Sequence, residues 1–280
     1  MRTPRILVTD GWIADQNGSL TEVVIPSSVK TLQAPTKVTF NGTVLNAVPS
    51  AAARLQEFEA PNCTSTPVDV FKNYTGLLQV NMNAITSLNE SKANGGGTFY
   101  GCTKLHTVNL DSLMTLTFNT GITSNAGTFY NCTSLTSVSL NSVTSIDYRT
   151  GSGSHNPIAS PFGNCTSLKS IRLPSLKTLV SQRTASYGTG CAFYNCTGLE
   201  TVDFPVFVSS SGNLSCFNTC PNLQNVTLGS EGHPVQTLSQ YTFSGCTQSS
   251  LTITVYTQGG ASLANSPWGA TNATIVYEEA

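Results

Sequence analysis

Residues 127–140 read GTFYNCTSLTSVSL, and this stretch contains a unit that recurs along the chain. The first half of the unit, Phe-Tyr-Asn-Cys-Thr-Ser-Leu, begins at Phe129. Copies of this half begin at six other phenylalanines: Phe71, Phe99, Phe162, Phe193, Phe217 and Phe243. Successive copies lie 24 to 33 residues apart. A period of roughly 20–50 residues is typical of solenoids, propellers and arrays, so the repeat decides the fold.

The second half of the unit predicts a short β-strand. It has the pattern Leu-x-x-Val-x-Leu, as in Leu135, Val138 and Leu140, and its apolar residues alternate with Ser, Thr or Asn. This alternation is typical of a half-buried strand, whereas no segment has the periodicity of a long amphipathic helix. The Phe-x-x-Cys half predicts a single helical or 3-10 turn. Because one short strand cannot bury its apolar face alone, we expect a β-rich solenoid whose parallel strands stack about 4.8 Å apart.

The complete pattern, Phe-x-x-Cys-Thr-x-Leu-x-x-Val-x-Leu, resembles the BspA-like leucine-rich repeats of bacterial surface proteins. The resemblance covers 71–248 and is weaker over 19–65, and it departs from the pattern at Tyr74 and Ser249. It implies a right-handed leucine-rich repeat coil in a secreted or surface-displayed binding or adhesion module. The partner would be a host or bacterial surface protein or a glycan. The family brings no shared enzyme activity and no cofactor.

The repeat runs through the chain without a linker, so we expect a single solenoid domain over 1–280 with about nine turns. Residues 1–70 would form degenerate N-terminal repeats or a cap, 71–248 the clear repeats, and 249–280 a C-terminal cap. The first residues, MRTPRILVTDGW, lack the apolar core of a signal peptide. Three alternatives remain: an export signal removed before this methionine, another export route, or retention in the cell.

The composition argues against two classes of partner. Only 10% of residues are charged, against roughly 25% in typical soluble domains, and the net charge is −1. Such a chain has no long-range field that would recruit nucleic acid or an anionic membrane. No stretch approaches the roughly 18 apolar residues of a membrane span. We therefore expect a monomer that neither binds nucleic acid nor inserts into a membrane.

The nine cysteines are predicted to be packing residues. Six of them occupy the fourth position of the repeat: Cys102, Cys132, Cys165, Cys196, Cys220 and Cys246. Each should point into the coil as a small buried hydrophobe, and Cys132→Ser should then destabilise the fold. The chain has no Cys-x-x-Cys, and its histidines lie at no ligand spacing, so we expect no metal. Disulfides Cys191–Cys196 and Cys216–Cys220 remain alternatives to free thiols.

The repeat alignment places opposite charges at equivalent positions of successive units. Lys169 aligns with Glu200, and Arg172 aligns with Asp203. Stacking in register would bring each pair together on neighbouring strands, as an exposed ion pair or a ligand clamp. A polysaccharide lyase on a parallel coil would instead need acids on two or three consecutive turns, which the repeat strands lack. A non-catalytic binding module is the favoured function, with an enzyme or a structural spacer as alternatives.

The longest repeat units carry their extra residues at the same place, after the second apolar pair of the coil. These insertions are FNTGITSNAG, DYRTGSGSHNPIAS and VSQRTASYGTG. Insertions at one repeat position emerge side by side on one edge of a solenoid, which is often the binding face. We call 148–187 the loop ridge and predict it as the contact surface, through residues of types enriched at interfaces. These are Tyr148, Arg149, His155, Arg183 and Tyr187.

Overall fold

The structure is a computed structural model of the chain. It describes residues 7–9, 12–14, 20–22, 37–48, 52–90, 96–120, 125–150, 158–183, 189–212 and 215–280.

The first three strands form an antiparallel sheet. They are β1 (Leu7–Thr9), β2 (Trp12–Ala14) and β3 (Leu20–Glu22), paired in the order β1-β2-β3. Strand β3 lies in the segment whose sequence weakly matched the repeat. Its antiparallel pairing with β2 distinguishes it from a coil of the solenoid, in which neighbouring strands are parallel.

A parallel strand ladder follows and confirms the predicted leucine-rich repeat solenoid. Its first five strands are β4 (Lys37–Thr39), β5 (Glu57–Glu59), β6 (Gln79–Asn81), β7 (Thr107–Asn109) and β9 (Ser137–Ser139). Its last five are β12 (Ser170–Arg172), β15 (Thr201–Phe204), β17 (Asn225–Leu228), β18 (Thr252–Thr257) and β19 (Thr274–Glu279). The central residues pair in register, for example Val202 with Val226. One strand per coil is what the period-two pattern of each unit predicts.

Two smaller parallel sheets lie at the beginning and at the end of the insertions. The second sheet has the order β16-β13-β10-β8 and consists of β8 (Thr115–Thr120), β10 (Ser145–Thr150), β13 (Thr178–Arg183) and β16 (Ser209–Gly212). The pair β11 (Ile158–Ala159) and β14 (Thr189–Gly190) forms the third. Gln258–Gly260 is a 3-10 helix, the only helix among the described residues. The chain is thus built from strands and turns.

The phenylalanines of the repeat stack along the core. The rings of Phe71, Phe99, Phe129, Phe162, Phe193, Phe217 and Phe243 form an unbroken column. Neighbouring ring centroids are 5.1 to 5.5 Å apart, and every ring in the column is buried. Offset stacking of this kind is worth about 0.5–1.5 kcal/mol per pair beyond the apolar area that it buries. The column gives every coil the same packing partner above and below.

The cysteine of each repeat unit is buried and forms a specific hydrogen bond. Cys132 Sγ donates to the carbonyl oxygen of Phe99 at 3.1 Å, one coil back. Cys165 donates in the same way to Phe129 at 3.2 Å. Burial raises the pKa of the Cys132 thiol well above its usual value and keeps it protonated as a donor. The cysteine is therefore a core residue, as predicted, and it also supplies a donor that the sequence did not reveal.

All nine cysteines are buried free thiols, so neither alternative disulfide is formed. Cys196 and Cys220 donate to the carbonyl oxygens of Phe162 and Phe193, at 2.9 and 3.0 Å. Cys191 instead accepts a hydrogen bond from the backbone N–H of Asn218. No group of three or more His, Cys, Asp or Glu side chains suited to a metal ion occurs in the described part of the chain.

The residue before the cysteine adopts a left-handed backbone conformation. Asn131, Asn164 and Asn195 have φ values of 63°, 59° and 53°. Asparagine tolerates this region better than other residues with a Cβ. The side chains also bond from coil to coil: Asn164 Nδ2 donates to Asn131 Oδ1 at 2.6 Å, and Asn195 Nδ2 donates to Asn164 Oδ1 at 2.8 Å. The third position of the motif is thus selected by backbone geometry and by an amide ladder.

Candidate binding surfaces

The outward side chains of the strand ladder form one continuous set of positions, which we call the strand face. The residue before each central apolar residue is exposed in five successive ladder strands. It is Thr107, Ser137, Ser170, Thr201 and Asn225. The residue two positions before the central one is His106, Thr136, Lys169, Glu200 or Gln224 in the same five coils. The scaffold therefore holds a varied, mostly polar set of side chains at fixed spacing.

The predicted ion pairs on the strand face are confirmed. Strand β12 pairs with β15 so that Arg172 lies opposite Asp203, and the Arg172 guanidinium contacts the Asp203 carboxylate. Lys169 Nζ lies 2.7 Å from Glu200 Oε1. The Lys169 and Arg172 side chains are 65% and 61% exposed, so each pair is worth about 0–1 kcal/mol at most. The pairs fix the repeat alignment and contribute little to stability.

A second ion-pair cluster lies on the strand face near the beginning of the ladder. Lys37 Nζ lies 2.9 Å from Glu57 Oε2 and 3.2 Å from Glu59 Oε1, so that two carboxylates share one ammonium group. The hydrogen bond to Glu57, followed by that to Glu59, raises the pKa of the exposed Lys37. These ion pairs and those at β12 and β15 are separated by β6, β7 and β9, whose strand residues include no Lys, Arg, Asp or Glu.

The loop ridge begins as the second sheet, in which the insertions lie side by side. Strand β10 pairs in register with β8 and with β13 over six residues on each side. Arg149 lies opposite Gln182, and Thr150 lies opposite Arg183, so the two arginines are on neighbouring strands one residue out of register. His155 and Tyr187 lie outside the described residues. The structure therefore brings the starts of the insertions together, and the role of the ridge in binding stays a prediction.

Tyr148 is the exception, because its side chain is buried and cannot contact a partner. Only 1% of its surface is exposed, and it packs in the core with Ile146, which lies two residues earlier on β10. The period-two alternation of a strand turns both residues inward. Tyr148 Oη lies 3.0 Å from Thr128 Oγ1 in a hydrogen bond. The prediction that Tyr148 is a surface contact was wrong.

The hydroxyl of Thr128 connects Tyr148 to a partly buried acid, Glu90, that the sequence analysis missed. Thr128 Oγ1 donates to Glu90 Oε2 at 3.1 Å, and the Thr98 backbone N–H donates to Glu90 Oε1 at 3.0 Å. Thr98 and Thr128 are fully buried. Burial raises the pKa of Glu90 to about 7, against the opposing effect of these hydrogen bonds. Nothing in the sequence indicates this cluster, because its members meet only when the coils stack.

A lyase would need acids on two or three consecutive turns of the strand face. In the clear repeats the neighbouring acids of the strand face are Glu200 and Asp203, and they are paired with Lys169 and Arg172 respectively. The described part of the chain contains no helix that is long and apolar enough to cross a membrane.

Comparison with known proteins places these features in one family. The model of the BspA-type leucine-rich repeat region matches residues 51–156 and 158–261, with six copies. The sequence matches no functionally curated protein.

Two solved structures are similar to the chain, each with 16% sequence identity. One is a leucine-rich repeat protein from Bacteroides ovatus ATCC 8483, with a TM-score of 0.37 over 99% of this chain and 76% of that chain. The other is a leucine rich cell surface protein from Faecalibacterium prausnitzii A2-165, with a TM-score of 0.22 over 98% and 95% of the two chains. The family model matches most of the chain, and the phenylalanine, cysteine and strand positions stack as the repeat requires. The chain therefore belongs to the BspA-type leucine-rich repeat family.

Proposed function

We propose that this protein is a non-catalytic binding or adhesion module that acts outside the cell or at its surface. Its partner is a host or bacterial surface protein or a glycan, and the solenoid works as a monomer. Membership of a repeat family supports an interaction role, and the cellular location rests on the resemblance to bacterial surface proteins.

One observation carries the proposal: inward positions repeat from coil to coil, whereas outward positions of the same strands vary. Val202 and Val226 are both buried at the centres of neighbouring strands. The outward residues that flank them include an acid at Asp203 and a hydroxyl at Thr227. Function is expected where side chains vary over an invariant scaffold, since the fold itself does not select those side chains. The strand face meets this description over its whole length.

The loop ridge is the second place where contact residues are available. Its arginines, Arg149 and Arg183, lie on neighbouring strands of the second sheet. Arginine is enriched at protein interfaces because its planar fork donates several hydrogen bonds at once. We propose that Arg149, His155, Arg183 and Tyr187 contribute to binding together with Arg172 and Asp203.

The test is an array of glycans and purified surface proteins probed with the whole chain, followed by two sets of variants. Reversing the exposed ion pair (Arg172→Asp with Asp203→Arg) keeps the pair but inverts its polarity on the strand face. Shortening the two insertions after β10 and β13 removes the ridge. Loss of binding in the first set places the partner on the strand face, and loss in the second set places it on the ridge. A chain that binds nothing on the array, or whose variants all bind as well as the natural chain, contradicts the proposal.

A further inference from the structure

The strand ladder is interrupted at one step, between β9 and β12. The two five-stranded sheets of the ladder end there, on β9 and on β12 respectively. Both facing segments are fully described, and no backbone hydrogen bond joins 136–140 to 168–173. At the preceding step Leu110 N donates to Ser139 O at 2.9 Å, and at the following step Leu173 N donates to Asp203 O at 3.1 Å. We call the interrupted step the seam.

The seam is open to solvent as well as unbonded. Val138, at the centre of β9, is only partly buried. The corresponding residue is buried in the other ladder strands from β4 to β18: Val38, Phe58, Val80, Val108, Ile171, Val202, Val226 and Ile253. Some Cα atoms of β9 and β12 still lie within 8 Å of each other, against the usual spacing of about 4.8 Å. The gap is therefore a narrow wedge, too small to accept an additional strand.

The opposite side of the same two coils is intact. Strands β10 and β13 pair in register over six residues. Lys177 N donates to Thr144 O at 2.8 Å, and Cys165 Sγ donates to Phe129 O at 3.2 Å. The connection between the two coils therefore persists around the second sheet and the cysteine ladder, and only the strand side is open.

The phenylalanine column records a tilt at this step. The rings of Phe129 and Phe162 are inclined by 13°. The other five neighbouring pairs in the column are inclined by 1° to 7°. The largest inclination in the column therefore coincides with the step at which the strand ladder is interrupted.

We propose that the seam is a hinge, about which the coils of β4–β9 and the coils of β12–β19 tilt as two blocks. The second sheet and the Phe129–Phe162 contact form the axis, and the strand face closes or opens at β9 and β12. The physical basis is that this step lacks the ladder hydrogen bonds that resist bending at every neighbouring step, while the other connections hold the blocks together. The hinge changes the curvature of the strand face, and it exists whether or not that face binds a partner.

The first experiment measures distances between spin labels on two pairs of exposed positions that occupy the same repeat register. Thr107→Cys with Asn225→Cys spans four steps of the ladder and includes the seam. Lys37→Cys with Ser137→Cys also spans four steps and excludes the seam. Without the seam both pairs would be about 19 Å apart at the backbone. The native thiols are buried, so the unmodified chain serves as the control for background labelling.

The hinge predicts that the pair across the seam has a longer mean distance, by up to about 3 Å given the usual strand spacing, and a broader distribution than the matched pair. A longer mean with equal width would indicate a fixed bend and would overturn the hinge. Equal means and widths would overturn the seam itself.

Hydrogen exchange of the unmodified chain provides a second test that needs no substitution. The amide of Leu140 faces the seam, whereas the equivalent amides of Leu110 and Leu173 are bonded. We expect Leu140 to exchange roughly a hundredfold faster than either, because exchange at an unbonded edge requires no opening of the ladder. Equal protection of the three amides would overturn the proposal.

Discussion

The turn side and the strand side of each coil are held together in different ways. On the turn side the side chains themselves repeat, so that Phe129 stacks on Phe162 and Cys132 bonds back to Phe99. On the strand side the backbone and the inward apolar residues repeat, whereas the outward side chains vary from coil to coil. The turn side is continuous from Phe71 to Phe243, whereas the strand side is interrupted at β9 and β12. The turn side, whose side chains stack and bond from coil to coil, is thus continuous. The strand side, whose outward side chains vary, is the side on which the interruption lies.

The comparison predicts its largest effect for a residue of the phenylalanine column. Phe129→Ala should lower the free energy of unfolding by about 3–5 kcal/mol, because the ring is fully buried between two others. Val138→Ala, at the open seam, should cost about 1 kcal/mol, since its side chain is only partly removed from water. Urea unfolding followed by circular dichroism measures both. Equal losses would show that the two sides contribute alike.

The second effect concerns charge and pH. Burial raises the pKa of Glu90 from 4.5 to about 7 in the folded protein. The folded state therefore holds this proton more tightly than the unfolded state, and stability falls as the pH rises from about 4.5 to 7, by up to about 3 kcal/mol. Glu90→Gln should remove this loss and stabilise the protein at pH 8, as measured by urea unfolding at pH 5 and pH 8.

An exposed carboxylate provides the control for that experiment. Glu231 is exposed, and Glu231→Gln should leave the difference in stability between pH 5 and pH 8 unchanged. If Glu90→Gln also left this difference unchanged, the Glu90 carboxylate would not oppose folding at neutral pH.

The third effect separates packing from hydrogen bonding at Cys132. Removing the donor by Cys132→Val should destabilise by about 0.5–1.5 kcal/mol, because the Phe99 carbonyl loses the hydrogen bond from the next coil but keeps the one from the Cys102 backbone N–H. Cys132→Ser keeps a donor within reach of that carbonyl, so it should cost less than Cys132→Val. The sequence-based expectation of a loss for Cys132→Ser treated the cysteine only as a small buried hydrophobe, whereas the structure adds its hydrogen bond to Phe99. The free energies of unfolding of the two variants test this expectation. If Cys132→Ser is less stable than Cys132→Val, the thiol acts only through packing.

The smallest effect is expected on the strand face. A double-mutant cycle with Arg172→Ala and Asp203→Ala should give a coupling energy of about 0–1 kcal/mol, because the Arg172 side chain is mostly exposed. The coupling should decrease further in 0.5 M salt, where exposed charges are screened. A coupling above about 2 kcal/mol, or one insensitive to salt, would show that the strand side contains a structural ion pair.

Much of the fold could be predicted from the sequence, because the repeat pattern indicates both which residues of a coil are buried and how neighbouring coils stack. The alignment of Lys169 with Glu200 gave the correct strand register, and the fourth repeat position was correctly interpreted as core. Tyr148 was misplaced although a signal was present: it follows Ile146 at strand spacing, as Phe118 follows Leu116 one coil earlier. The insertion was treated as a loop from its first residue, whereas it begins as a strand with one face inward.

Other features had no signal in the sequence. Glu90 lies outside the repeated positions, and its partners Thr98 and Thr128 come from two different coils. The seam likewise has no signal in the sequence, because the strand segments of β9 and β12 both match the repeat pattern. Whether backbone groups pair across a given step depends on the tilt of whole coils, which is set by the packing of the coils rather than by any single residue.

The uniform phenylalanine column bears on how such a chain lengthens or shortens over generations. Phe193 stacks on Phe162 at 5.1 Å and on Phe217 at 5.2 Å, with nearly the same inclination on both sides. Each coil therefore offers its neighbours the same surface, and a coil gained by duplication or lost by recombination leaves matching surfaces in contact. The number of coils, and with it the length of the solenoid, can therefore change without a change in the packing between coils.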